Sequence, residues 1–485
     1  MDAPDLAQIA ALEMRANGFE PVFATEVLRE AEHRARDGTE RSGDIRDLRG
    51  RQWFSIDNVD TLDLDQLTWA EALPAGSVRL AVAVADVDAM VHRGSSVDAH
   101  AAANTTSVYT AAGVFPMLPP VLSNDRTSLH EGEERLAVVV EMNLDREGSV
   151  TDSRLYRAAV RNHAKLDYDS VAAWLEALAP PPAVIAANAA LQAQLWLHDQ
   201  AARSMRRWRQ QRGALNVATS QARPVFDKGE LVDLRADKRN RAKDLIADIM
   251  IATNGTTARF LAQHGQPSLR RVLQQPRRWD RLVQLAEQHG AKLPPVPNAL
   301  ALDRFLTARR AVDPSGFEDL SLAVVKLLGS GAYAAAPAGA PPAGHFGLAV
   351  NDYAHSTAPN RRFVDLVTQR LLKATLAQQA MPYSMDELDA IAQHCTVQED
   401  RASTVERRVL KAAAAYLLQD RIGERFDAIV TGVAPKGTFV RITAPMVEGR
   451  MVRGFEGLDV GDAVSVKLLG VDIGQRFIDF ESVLR

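Results

Sequence analysis

The chain has 485 residues, enough for about three domains at roughly 150 residues each. Its 57 Lys+Arg against 61 Asp+Glu give a net charge of -4, and 46% hydrophobic with 24% charged residues is ordinary globular composition. That excludes wholesale disorder, collagen and a coiled coil, and the single cysteine, Cys395, excludes an intrachain disulfide or a cysteine-built zinc cage. The acidic start Met1-Asp2-Ala3 lacks the basic region of a signal peptide, and no stretch approaches the ~20 apolar residues of a membrane span. A cytoplasmic protein without membrane contact is expected. The near-neutral balance argues, at first sight, against nucleic acid as a partner.

In chain order, residues 1–46 read as two helices, Leu6 to Arg15 and Phe23 to about Arg36, split by the breaker Asn17-Gly18. This is helix-turn-helix-like, and a small helical cap on the next domain is the equal alternative. From Trp53 the pattern alternates, with strands at 53–56, 78–84 and 136–140. Ala-rich helices follow at about 168–212 and 243–264, and the Ala/Pro/Gly-rich stretch Ala332 to Gly344 reads as a loop. The last 64 residues hold five strand-like runs, near 426–433, 437–442, 446–453, 463–471 and 476–481. That is the proportion of an OB-fold, although spacing alone leaves other small barrels open.

The most chemical segment is Ser55-Ile56-Asp57-Asn58-Val59-Asp60-Thr61-Leu62-Asp63-Leu64-Asp65-Gln66. Asp63 and Asp65 are two apart, so in extended backbone they point the same way. Carboxylates this close need positive charge among them, and a hard divalent cation supplies it. Two such ions can activate water and stabilise a leaving oxygen in phosphodiester cleavage. A solvated acidic loop and a structural calcium loop are the plain alternatives on the cluster alone.

The surrounding blocks resemble the ribonuclease II / ribonuclease R family of exoribonucleases, whose signature is a strand ending Ile-Asp, five residues, then Asp-x-Asp-Asp. Downstream come Ala85-Asp86-Val87, Thr106-Ser107-Val108-Tyr109 with Phe115-Pro116-Met117-Leu118-Pro119, Asp248-Ile249-Met250 and Tyr353-Ala354-His355-Ser356-Thr357-Ala358-Pro359-Asn360-Arg361-Arg362-Phe363. The resemblance covers roughly residues 47–485. It implies an α+β exoribonuclease core over 47–421 and an RNA-binding OB-fold barrel over 422–485. It also implies processive 3′-to-5′ hydrolysis of single-stranded RNA to 5′-mononucleotides with Mg²⁺, or Mn²⁺ in its place, by a monomer. On this resemblance Asp57, Asp63, Asp65 and Gln66 hold metal, Asp65 activating water with Asp57 and Asp63, and Arg361 meets the scissile phosphate. Tyr109 stacks on a base, Arg362 contacts substrate, Asp248 and Glu406 read ribose, and Phe226 forms a second stacking wall.

Two departures stand out. Gln66 is a neutral amide where the family has a fourth Asp, which weakens a second metal site, with Asp60 as a partial substitute. It also supports the rival reading of an RNA-binding relative without catalysis. The N-terminal pair of helices stands where the family carries cold-shock barrels, which implies a more open channel entrance. Among smaller signals, Arg203, Arg206, Arg207, Arg209 and Arg212 around Trp208 read as a solvated helix face, with an RNA-facing surface as the alternative. Gly329-Ser330-Gly331 is dismissed as a nucleotide loop because no helix can follow it. His345 and His355 read as hydrogen-bonding residues of the site wall and Cys395 as a small buried hydrophobe. Lys436 and Phe439 are RNA contacts or, for Phe439, core.

Overall fold

In the computed structural model the described residues are 6–37, 43–218, 220–227, 230–273, 276, 278–314, 316–341, 343–434 and 437–483. Helices α1 (Leu6–Ala16) and α2 (Thr25–Asp37) come first, then strands β1 (Ile45–Asp47), β2 (Trp53–Asp57), β3 (Gln66–Ala72) and β4 (Val78–Ala85). Helix α3 (Ser96–Asn104), the hairpin β5 (Val108–Thr110) and β6 (Gly113–Phe115), and long strands β7 (Glu134–Leu144) and β8 (Val150–Asp167) follow. Helices α4 (Tyr168–Leu175), α5 (Ala183–Ala186) and α6 (Ala189–Gln210) lead to the hairpin β9 (Gln221–Asp227) and β10 (Glu230–Asp237). Next come α7 (Arg241–Gln263), β11 (Ser268–Val272), α8 (Trp279–Gln288), α9 (Ala299–Val312), α10 (Phe317–Leu328) and β12 (Ala332–Ala336). Helices α11 (Phe363–Leu376) and α12 (Met385–Leu418) precede the last five strands, β13 (Arg425–Ala434), β14 (Gly437–Thr443), β15 (Met446–Arg453), β16 (Ala463–Asp472) and β17 (Phe477–Ser482). The α+β expectation holds.

Strand β8 organises the main sheet. Its first part pairs antiparallel with β7, and from Asn162 to Asp167 it runs parallel to β2. Pairings therefore run β2–β3–β4–β7–β8 and return to β2, with β1 on the far side of β8. β4 reads Val-Arg-Leu-Ala-Val-Ala-Val-Ala and is buried almost throughout, as a strand covered on both faces must be. The parallel register sets Asp57 opposite Asp167, so β2 and β8 end at the same place. That end carries the acidic loop.

Helix α12 is 34 residues long, about 50 Å, and starts with a capping box between Ser384 and Glu387. Its first part joins the core under the main sheet, through Leu388 and Cys395, and its second part, Ala402 to Leu418, joins the barrel's core. The barrel closes in the order β13-β14-β15-β17-β16. At Gly449 a side chain would collide with the ring of Phe480, which fills the barrel. Helices α8, α9 and α10 form a satellite core of their own around Trp279, Phe305 and Phe317.

The N-terminal helices do not share one core. The α1 helix ends in a Schellman turn, Phe19 N–H to Met14 O and Gly18 N–H to Arg15 O, with Gly18 at φ 81. Its Ala10 and Met14 join α12 and the barrel, whereas Val27 and Ala31 of α2 join the sheet. Glu13 of α1 pairs with Arg408 of α12 (3.0 Å) and with Arg476 between β16 and β17.

One expected loop is corrected. The segment Ala332 to Gly344 begins as β12, antiparallel to β11 and packed on α12, where the Tyr333 N–H donates to the Thr396 hydroxyl (2.9 Å). Only its Pro337-containing remainder is irregular. Lys436 lies outside the described residues.

Candidate active site

Asp57 ends β2, and the loop to β3 carries the rest of the cluster. Buried Leu64 anchors this loop. The Ser128 hydroxyl accepts from Leu64 N–H (2.9 Å) and donates to the Leu62 carbonyl (2.6 Å). Lys165 Nζ donates to the carbonyls of Val59 (3.0 Å) and Thr61 (2.7 Å). Asp60 does not substitute for a fourth carboxylate: both its oxygens accept from Arg223 of β9, each at 2.8 Å.

Asp65 is the most enclosed of the three carboxylates. Its Oδ1 accepts from the Asn360 amide (3.0 Å) and its Oδ2 from Arg361 Nε (3.2 Å). Burial pushes its carboxyl up to about 7, with Asp63 adding to the rise and Arg361 opposing it. Asp57 Oδ1 accepts from Asn58 N–H (3.0 Å) and the Thr61 hydroxyl (2.8 Å). Burial raises this carboxyl as well; Arg361 opposes the rise and Asp63 adds to it. Asp63 Oδ2 accepts from the Tyr109 hydroxyl (3.1 Å). One guanidinium thus faces three carboxylates. Gln66 follows as the first residue of β3, half-buried and paired in register with Val84.

Arg361 is positioned through its backbone. Its carbonyl accepts from Ser107 N–H (3.0 Å), and its neighbour Asn360 accepts from the Thr127 hydroxyl (2.6 Å). Arg362 turns the other way, into a 2.8 Å ion pair with buried Asp365, whose Oδ1 also accepts from Ala358 N–H (2.9 Å). Arg362 therefore braces the 358–365 turn. Behind it stand the edge-on rings of Tyr333, His355, Tyr353 and His345, with the Tyr333 hydroxyl 2.8 Å from His355 Nδ1. Burial holds His355 well below the ordinary histidine range. Cys395 is buried and its thiol is pushed up to about 12.

Tyr109 bridges two parts of the site: its N–H donates to Glu406 Oε1 (3.0 Å), its hydroxyl reaches Asp63, and the residue as a whole is 43% exposed. Phe226 on β9 is 47% exposed, opposite Leu231 in the hairpin. Asp248 on α7 does not stand open. It is buried, and its oxygens hold Arg206 (2.6 Å) and Arg209 of α6. That divides the basic run: Arg206 and Arg209 face inward on Asp248, and Arg203, Arg207 and Arg212 face solvent.

Two members of the site were not read from the sequence. Tyr168, the first residue of α4, follows Asp167, and burial, then the charge of Asp57, raises its phenol while Arg361 opposes. Asn360 works through its main-chain N–H. Tyr168 is legible only once β8 is known to end beside β2. Asn360 has no legible signal, because a backbone donor has no sequence identity.

The donor set suits a hard cation. All four side chains offer oxygen, and Asp57 and Asp65 are held above the ordinary carboxylate range by burial and by Asp63, conditions under which a divalent ion stabilises the ionised forms. Among the described residues no three His, Cys, Asp or Glu stand close enough to close a shell unaided. A cavity of about 560 Å³ lies elsewhere, between β8 and α11, where Arg157, Arg370 and Lys373 are matched by Asp86, Asp88 and Asp98.

The RNB domain model matches residues 45–378, about two thirds of the chain. The chain belongs to the RNB family. A model described as the RNase II-type exonuclease C-terminal S1 domain matches residues 424–483, the closed barrel. Ribonuclease R of Vibrio parahaemolyticus is 30% identical over 478 residues, covering 90% of this chain and 56% of that protein. The chain therefore spans little more than half the length of that relative. Among solved structures, Mycoplasma genitalium RNase R in complex with ribose-methylated single-stranded RNA aligns with a TM-score of 0.87 at 22% identity, over 99% of this chain and 78% of that one. Yeast Ssd1, a pseudonuclease, aligns with a TM-score of 0.70 at 18% identity, over 93% of this chain and 56% of that one. Those two likenesses concern the fold. Among the described residues no helix is long and apolar enough to cross a membrane.

Proposed function

We propose that the chain is a hydrolytic exoribonuclease that degrades single-stranded RNA processively from the 3′ end to 5′-mononucleotides, as a cytoplasmic monomer using Mg²⁺, with Mn²⁺ as a substitute. The observation that carries this reading is Asp65, buried, accepting from the Asn360 amide and Arg361 Nε, with Asp57 and Asp63 on the same loop. When bound, the metal supplies a nucleophilic water and charge neutralisation at the leaving oxygen. Asp57, Asp63, Asp65 and the Gln66 carbonyl would hold it, with water or substrate oxygens completing the shell, and Asp65 would accept the proton of the attacking water.

Arg361 is fixed by its backbone before substrate arrives, so its guanidinium meets the developing phosphate charge without reorganisation. The half-exposed Tyr109 stacks a terminal base, a grip that tolerates any sequence, and Phe226 walls the other side. Glu406 accepts a ribose hydroxyl while holding Tyr109 in place, and Asp248 does so from the far side once the Arg206 and Arg209 contacts adjust. In this reading 47–421 is the catalytic unit, 422–485 the RNA-binding barrel and 1–46 a helical module.

The rival, an RNA-binding relative without catalysis, draws on Gln66 and on the shared fold of a pseudonuclease. Three carboxylates and Arg361 weigh against it. A 5′-labelled single-stranded RNA incubated with Mg²⁺ separates the two. Mononucleotide release that chelator and Asp65→Asn both abolish supports hydrolysis. Intact RNA at excess protein sinks that reading, and an unimpaired Asp65→Asn variant sinks the site.

A further inference from the structure

The outward side of the α6 basic run has no part in the site described above. On a helix, Trp196, Gln200, Arg203 and Arg207 fall at i, i+4, i+7 and i+11, one narrow stripe about 16 Å long. With Asp199 and Arg241 they line a cavity of about 380 Å³ on the outer face of the α6–α7 layer. The carboxylate in it is already spent: Asp199 accepts from Arg241 Nε (2.7 Å) and Nη2 (2.6 Å), and Arg241 Nη1 also donates to the Leu175 carbonyl. Arg203 reaches Asp199 only at 3.9 Å with 59% of its side chain exposed. Arg207 is exposed and donates to Ser204 of its own helix (2.9 Å). Trp196 is 44% exposed, its ring set edge-on against Trp174 and with the Arg241 guanidinium 6.0 Å from its centroid on one face, which together fix its orientation.

Two cations in surplus beside a fixed, exposed indole combine phosphate attraction with a stacking platform. The inner arginines make the contrast: Arg206 and Arg209 of the same helix are matched to buried Asp248 and Asp244. We propose that the outer face of α6 is a second binding surface for single-stranded RNA, with Arg203 and Arg207 on successive phosphates and Trp196 under a base. It rests on the RNA-hydrolysis reading above and deepens it: the strand is held by residues outside the carboxylate site while its 3′ end is cut.

The test compares a 30-nucleotide oligo(U) with a 6-nucleotide oligo(U), the latter short enough to be held at the carboxylate site alone. Fluorescence anisotropy in chelator gives affinity and its salt dependence for the wild type, R203E/R207E, W196A and R203K/R207K. R203E/R207E is expected to bind the 30-mer at least tenfold more weakly, with a salt slope lower by about 1.4 for two lost phosphate contacts. W196A is expected to weaken 30-mer binding with the slope kept, and R203K/R207K to keep wild-type affinity. Hexamer affinity stays within twofold throughout. Unchanged 30-mer binding by R203E/R207E overturns the proposal. Equal losses on both RNAs also overturn it, because they place the effect at Asp248. Loss in R203K/R207K as large as in R203E/R207E overturns it too, since charge is then not the cause. Hexamer hydrolysis by the wild type with Mg²⁺ is scored separately and reports on the hydrolase reading alone.

Discussion

Replacing Asp65 with Asn tests the site through stability as well as turnover, with opposite signs. In the folded chain the Asp65 carboxyl is pushed up to about 7, against about 3.9 for an unfolded aspartate. A raised carboxylate favours the protonated form in the fold, so it costs stability as pH rises from the unfolded value toward the folded one. The full cost is about 4 kcal/mol at 1.36 kcal/mol per pKa unit, of which more than half develops between pH 5 and pH 8. Asn carries no such ionisation. It keeps an acceptor for the Asn360 amide and loses the Arg361 bond, a loss of about 1–3 kcal/mol for a charged hydrogen bond. Urea unfolding in chelator at pH 5 and pH 8 isolates the pH-dependent part as a difference of differences, in which the titrating groups not coupled to Asp65 cancel. The expected result is that the variant gains about 2–3 kcal/mol on the wild type between the two pH values, while its RNA hydrolysis falls to background. A gap between variant and wild type that is equal at pH 5 and pH 8 refutes the reasoning, because Asp65 is then not an unfavourably buried charge.

Arg361→Lys keeps the charge but not the planar fork, and kcat is expected to fall about 10²–10³-fold with little change in KM, measured by mononucleotide release. Gln66→Asp restores a carboxylate beside Asp65 and is expected to lower the Mg²⁺ concentration for half-maximal hydrolysis about tenfold, read from a metal titration. Glu13→Ala leaves Arg408 and Arg476 without their shared partner; urea unfolding is expected to show a loss of about 2 kcal/mol. The Glu13→Ala/Arg476→Ala double variant is then expected to lose less than the sum of the single ones.

The barrel was legible almost residue by residue because its strands are short, alternate and are separated by turn residues, as at Gly437 and Gly454. The acidic loop was legible less from the spacing of Asp57, Asp63 and Asp65, which a solvated or calcium-binding loop also allows, than from the surrounding blocks that resemble the family. Strand β8 was not. It alternates strictly from Tyr156 to Asp167 in burial, but its covered face carries Ala158, Asn162 and Ala164 and its other face Ala159, so the apolar contrast that marks a strand is weak. β12 was hidden by composition, since Ala and Gly read as loop until the pairing with β11 is known. The roles of Arg206, Arg209 and Arg362 were hidden for a different reason. A charge tally does not say which arginine meets an acid some forty residues away, as Arg209 meets Asp248, and which is left to solvent.

The clasp made by Glu13 has a consequence for how the chain comes off the ribosome. Its partner Arg476 lies 463 positions later, and the apolar face of α1 is shared with the barrel. At roughly 5–20 residues per second, α1 waits on the order of 25–90 s for the surface it finally covers. The central sheet can assemble during that interval, before α1 meets its partner in the barrel. The Glu13–Arg476 pair thus forms only once translation has run through β16, and a chain truncated before Arg476 keeps α12 over the Ala10–Met14 face of α1 but lacks the barrel's share of that cover.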